Sequence, residues 1–157
     1  MNQLIITLSK QFPDLSFVPG TTFTWSPKQR QIIYRESASG DAAAWSLLHE
    51  VGHALLKHED FDSDFDLLIM EMEAWERAKA LAAAHNIVID ADHIEDCLDT
   101  YRDWLYQRST CPTCTSSSLQ TDKRTYECFN CGMEWQVSSS RHCRPYRRRS
   151  KLNKVIP

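Results

Sequence analysis

An α+β fold is what this sequence predicts: a small twisted sheet plus helices, followed by a short β module near the C-terminal end. Three observations predict it. Residues 16–34 are rich in β-branched and aromatic side chains and are punctuated by Pro and Gly. Later stretches, at about 42–57, 63–85 and 92–107, carry apolar residues at helical spacing. Two Cys-x-x-C pairs, Cys111-Pro112-Thr113-Cys114 and Cys128-Phe129-Asn130-Cys131, stand thirteen residues apart in a segment too short to bury a core of its own.

Taken in order, residues 2–12 read as a short helix with Leu4, Ile5 and Leu8 as its apolar stripe, ended by Phe12-Pro13. Three strands follow. The first, 16–18, stops at the turn signal Pro19-Gly20; the second, 22–25, is broken by Ser26-Pro27; the third is 31–34. A polar loop from Glu36 to Gly40 leads into a helix over about 42–57, with Ser39 or Asp41 as its cap. The acids Asp60, Asp62, Asp64 and Asp66 then precede a helix over 63–85, where alternating acids serve the helix N-terminus and solubility. Ile87-Val88-Ile89 is extended. A last helix over 92–107 puts Ile94, Leu98, Tyr101 and Leu105 on one face, with Asp90 or Asp92 as cap. In the Cys-rich segment, 119–121, 124–127 and 135–137 read as hairpin strands.

The net charge of −3 hides a division. Residues 1–105 hold 8 Lys+Arg against 18 Asp+Glu, whereas residues 106–157 hold 10 against 3. Two functional parts are expected, the second prone to interactions. No apolar run approaches membrane-spanning length, and the N-terminus lacks the basic and long apolar regions of a signal peptide. A cytoplasmic protein with no membrane partner is the expectation. Cysteines at metal-ligand spacing agree with it.

The helix-forming run over 42–57 contains His49-Glu50-Val51-Gly52-His53. On a helix, residues four apart share a face, so His49 and His53 can turn ring nitrogens toward one Zn2+. Glu50 lies about 100° round the helix, within reach of a water in the remaining coordination position, as a catalytic base requires. The flanking Leu47, Leu48, Val51, Ala54 and Leu55 suit a buried helix. Gly52 costs about 1 kcal/mol against Ala in a helix, which points to close packing there. A shuffled chain of this composition would contain the pattern about once in a hundred.

Such a site needs a third protein ligand. The candidates are Glu71, Glu73, Glu76, His58 and His85. Glu71 sits between Leu67, Leu68, Ala74, Trp75 and Ala78 at helical spacing, on the inward face; Glu76 is more exposed and Glu73 is intermediate. An inward acid is costly unless paired or bound to metal. His58 is one residue short of a metzincin spacing and lacks the glycine of that turn.

His49-Glu50-Val51-Gly52-His53 followed by Glu71-Met72-Glu73-Ala74 resembles the ImmA/IrrE family of gluzincin-type metallopeptidases over roughly residues 15–85. The resemblance implies a zincin-like metallopeptidase core. It also implies His49, His53 and Glu71 as ligands of a catalytic zinc and Glu50 as catalytic base, with Glu73 as the fallback ligand. Trp75 stands where that family usually has Asn or Asp, and the family's usual closing motif is missing. Tyr34, His58 and His85 are the candidates for stabilising an oxyanion.

Cys111, Cys114, Cys128 and Cys131 have the spacing of a zinc ribbon, four thiolates around a structural zinc. Beyond it, residues 141–154 hold 7 Lys+Arg and no acid. Such a tail binds phosphate backbones, docks on the acidic N-terminal part or stays a solvated terminus. The expected domains are a zincin-like metallopeptidase domain over 1–107, a C-terminal β zinc ribbon over 108–140 and a basic tail over 141–157. The expected cofactors are two Zn2+, one catalytic and one structural. The expected function is that of a zinc-dependent metalloendopeptidase acting on a protein or peptide substrate, a regulator or a nucleic-acid-associated protein. The alternative is a nucleic-acid-binding ribbon adaptor on a catalytically idle scaffold.

Overall fold

Four helices and two small sheets form the α+β fold among the described residues of the computed structural model, which are 1–138 together with the backbone of 147–149. Residues 1–60 with 69–96 make one unit, and 61–68 with 97–157 make another. The border drawn from sequence at 107/108 lies inside the second unit.

The first unit contains α1 (Asn2–Gln11), β1 (Ser16–Gly20), β2 (Thr24–Ser26), β3 (Gln31–Arg35) and α2 (Asp41–Leu56), with most of α3 (Asp64–Ala84) and the start of α4 (Ala91–Ser109) as far as Asp96. The strand order is β1-β3-β2. β1 runs parallel to β3, with Phe17 opposite Ile32, and β2 runs antiparallel, with Trp25 opposite Ile32. Pro19 and Gly20 do not turn the chain as expected; they continue β1 opposite Tyr34 and Arg35. β1 is an edge strand, where a missing N–H is tolerated.

α2 starts after Gly40, whose φ of 83° and ψ of −176° belong to a region essentially reserved for glycine. Neither Ser39 nor Asp41 provides a side-chain cap; Asp41 instead places its charge in the first turn. α3 is capped by Ser63, whose Oγ accepts from Asp66 N at 3.1 Å. α4 is capped by Asp90, whose Oδ1 accepts from Asp92 N at 3.0 Å. Ile87–Ile89 forms no strand. Leu47, Leu48 and Val51 of α2, Ala74, Trp75 and Ala78 of α3, Leu8 of α1 and Ile32 of β3 are buried. A Cβ on Gly52 would lie 2.5 Å from the carbonyl oxygen of Ala74, so α2 and α3 cross at a distance only glycine permits.

In the second unit, Leu67 packs with Tyr101 and Trp104 of α4. The ribbon sheet has the order β4 (Leu119–Asp122), β5 (Thr125–Glu127), β6 (Glu134–Val137), β7 (Arg147–Arg149). Tyr126 and Trp135 stack with centroids 5.5 Å apart, in a core completed by Val137 and the ribbon cysteines. β7 lies within 141–157, the segment read from the sequence as a basic tail. Arg147–Arg149 pair antiparallel with Val137–Trp135, because β6 otherwise has an open backbone edge. The rest of that segment, Cys143 included, lies outside the described residues.

Asp64 also departs from expectation. It is 1% exposed rather than solvated. Arg108 donates to it through Nε at 2.5 Å and a terminal nitrogen at 3.0 Å, and Tyr126 donates its hydroxyl at 2.6 Å. The Arg108 guanidinium also reaches the Ser138 carbonyl and stacks 4.2 Å over the Trp104 ring. A bidentate pair this buried is tolerated because every charge in it is hydrogen-bonded. No helix among the described residues is long and apolar enough to cross a membrane.

Candidate metal centres

The first candidate centre is built on α2 and α3. The four-residue spacing on α2 stacks His49 and His53, with Nε2 atoms 3.1 Å apart. The close crossing at Gly52 and Ala74 brings in Glu71, whose Oε2 lies 3.0 Å from His49 Nε2 and 3.5 Å from His53 Nε2. All three residues are at most 9% exposed. Burial alone would raise the Glu71 carboxyl, but hydrogen bonds from the two histidines outweigh it and hold the group at about 2.

This triangle fits a metal ion. Nitrogen and oxygen ligands at roughly 2.0–2.1 Å from a tetrahedral zinc lie about 3.3 Å from one another. The three observed edges bracket that value. Two imidazoles and a carboxylate are among the donor sets that hold zinc.

Glu50 follows His49 on α2. Its Oε2 accepts a 2.6 Å hydrogen bond from the backbone N–H of Trp25, so β2 fixes the carboxylate. The Trp25 indole also donates to the His58 carbonyl at 2.8 Å. Glu73, the alternative ligand, points elsewhere: its Oε2 lies 3.4 Å from His58 Nε2. His58 Nδ1 meets His53 Nδ1 at 2.9 Å, on the far side of the His53 ring from Glu71. His58 is therefore a neighbour of a candidate ligand rather than a member of the set. Burial, and then the charge on His53, lowers the His58 pKa. His85 pairs with Gln11 at 3.1 Å, and Tyr34 lies on β3 opposite Pro19.

The His58 contact comes from the way α2 ends. Lys57 adopts the left-handed conformation, φ 57° and ψ 38°. Its N–H bonds to Ala54 O and that of His58 bonds to His53 O at 3.0 Å. This paired closure folds the chain back, so that residue 58 packs over residue 53. His49 has a different surrounding. Trp75 lies against its ring with centroids 4.2 Å apart, and its Nδ1 is buried without a hydrogen-bond partner among the described residues.

Sequence reasoning missed two residues: Trp25, which holds Glu50, and His58 in this supporting position. The left-handed turn at Lys57 carries no Gly or Asn to announce it. The pairing of Trp25 with Glu50 spans 25 residues and has no local signature.

The second candidate centre is the ribbon. The four cysteine sulfurs lie within 4.8 Å of one another. Cys111 and Cys131 sulfurs are 3.7 Å apart, Cys114 and Cys128 sulfurs 3.4 Å. A tetrahedral zinc with Zn–S of about 2.3 Å separates its sulfurs by roughly 3.8 Å. Each knuckle is shaped by backbone bonds: Thr115 N to Cys111 O, and Gly132 N, at φ 66°, to Cys128 O. Hydrogen bonds from Ser116 and Asn130 bring Cys114 down to about 5. For Cys131 the Met133 backbone N–H favours the thiolate, but burial and the three neighbouring thiols outweigh it and push the group up to about 12. Four thiols this close ionise together only around a cation.

No protein-family model matches the chain, and no curated protein or solved structure matches it significantly. Its reading rests on its own residues.

Proposed function

We propose that this chain is a zinc-dependent metallopeptidase with a zincin-like core and a structural zinc ribbon. The observation that supports it best is the convergence of His49, His53 and Glu71 within 3.5 Å, with Glu50 one residue along and separately anchored. A scaffold or purely structural metal site has no need of Glu50 held in that place. The resemblance to the ImmA/IrrE pattern points the same way.

When bound, the metal supplies Lewis-acid polarisation of a peptide carbonyl and lowers the pKa of water. The chain's own residues do the rest. Trp25 N–H occupies Oε2 of Glu50, leaving Oε1 to take a proton from the attacking water and pass it to the departing amine nitrogen. With a divalent ion held there, the single carboxylate of Glu71 would leave the centre one net positive charge.

The test is zinc per chain together with peptide cleavage. Two zincs are expected in the wild type. One should be lost in His49→Ala/His53→Ala and the other in Cys111→Ala/Cys114→Ala. Glu50→Gln should keep both zincs and lose cleavage of a peptide library. One zinc in the wild type, removed only by the cysteine substitutions, would sink the proposal.

A second reading, nucleic-acid binding through ribbon and basic segment, is supported by one observation. Arg147–Arg149 form a strand of the ribbon sheet itself, so the module carries three consecutive cations on its frame. Salt-dependent DNA binding that is lost when these arginines become glutamine, with cleavage absent from the wild type, would favour it.

A further inference from the structure

We infer that His58 is a positioning residue, which fixes the tautomer and orientation of His53 through a hydrogen-bonded relay ending at Glu73. The inference rests on the metal-site reading of His49, His53 and Glu71.

His53 turns Nε2 toward His49 Nε2 and Glu71 Oε2, at 3.1 Å and 3.5 Å. A ligating nitrogen presents a lone pair, so the ring proton of His53 is on Nδ1. That atom lies 2.9 Å from His58 Nδ1. Between two Nδ1 atoms one must donate and the other accept, so His53 donates and His58 accepts. The His58 proton is then on Nε2, which faces Glu73 Oε2 at 3.4 Å. Every proton in the chain His53–His58–Glu73 is thereby placed, and the relay ends on a carboxylate that is half exposed. Such a partner holds the ring plane and raises the basicity of the ligating nitrogen.

Two further observations support the assignment. The left-handed closure of α2 at Lys57 bonds His58 N to His53 O, so the backbone already holds the two rings in register. His49, by contrast, has Trp75 tilted against its ring and no partner for Nδ1 among the described residues. The hydrogen-bonded support of the site is concentrated on one of its two histidines.

The experiment compares His58→Phe, which fills the space without accepting a proton, with His58→Gln, whose amide oxygen can accept it. Zinc affinity of the histidine site is read by chelator competition. The visible spectrum is read with Co2+ in that site and zinc in the ribbon. One ribbon zinc per chain in each variant marks an intact fold. His58→Phe should weaken affinity about ten- to a hundredfold and alter the cobalt spectrum, and His58→Gln should recover most of both. Wild-type affinity and spectrum in His58→Phe would overturn the inference. So would equal losses in both variants, which would mean packing alone. A wild type holding only the ribbon zinc would instead overturn the site reading, and the inference with it.

Discussion

Gly52 of α2 faces the backbone carbonyl of Ala74 of α3, with room for a hydrogen and none for a methyl group. Three residues before Ala74 is Glu71, and on either side of Gly52 are the turns that carry His49 and His53. The glycine therefore sets the distance across which the two helices bring their polar groups together. Gly52→Ala gains about 1 kcal/mol of helix propensity. It also forces the helices apart at a cost of about 1–3 kcal/mol. A net loss of about 1 kcal/mol is expected by chemical unfolding. Weaker zinc binding at the histidines should accompany it, with the ribbon zinc unaffected.

Glu71 and Glu73 are separable by metal content. Glu71→Gln should lose the zinc held by the histidines, while Glu73→Gln should retain it. Elemental analysis of the two variants decides between them.

The pH dependence of Glu71 has a definite sign. Its folded value of about 2 lies below the ordinary 4.5, so the stability it contributes is present above about 4.5 and is lost as pH falls through 2. With the histidine site stripped of metal, unfolding free energies at pH 7 and pH 3 should differ by about 2 kcal/mol more in the wild type than in Glu71→Gln. Equal pH dependence would show that the carboxylate is not held by the histidines.

Asp64 and Arg108 should be intolerant of separation. Removing either partner leaves a buried charge alone and should cost about 3–5 kcal/mol. The double variant Asp64→Leu/Arg108→Met should recover much of that loss in denaturant titrations. Full additivity of the two single losses would contradict the pairing.

Tyr126 should titrate late. Burial, then its hydrogen bond to Asp64 and that carboxylate's charge, raise its pKa, so its folded form stays protonated through the range where ordinary tyrosines ionise. Stability from this group is present below about pH 10 and declines above it. Of the five tyrosines, one should form tyrosinate only as the fold opens, and Tyr126→Phe should abolish that late step in an absorbance titration.

Much of this was legible in the sequence where the signal is local. The α2 motif, the helical spans and the Cys-x-x-C knuckles are written in spacings of two to four residues. What escaped depended on partners far along the chain. Asp64 reads as one of four alternating acids until Arg108, 44 residues on, is found against it. Pro19-Gly20 reads as a turn unless β1 is known to be an edge. Gly40 reads as loop, although its φ of 83° is what starts α2. His58 reads as a candidate ligand because spacing reports reach but not which side of a neighbouring ring a side chain approaches.

The ribbon sulfurs carry one more consequence. At 3.4 Å and 3.7 Å, the pairs Cys114–Cys128 and Cys111–Cys131 stand less than 2 Å from the bonded separation of about 2.05 Å. Withdrawing a metal from such a quartet leaves dithiols poised for oxidation. Chelation under a reductant should then be reversible on adding zinc back. Chelation in air should convert the same thiols to cystines that zinc cannot reclaim. The metal in this module would thus act as an antioxidant seal as much as a structural staple.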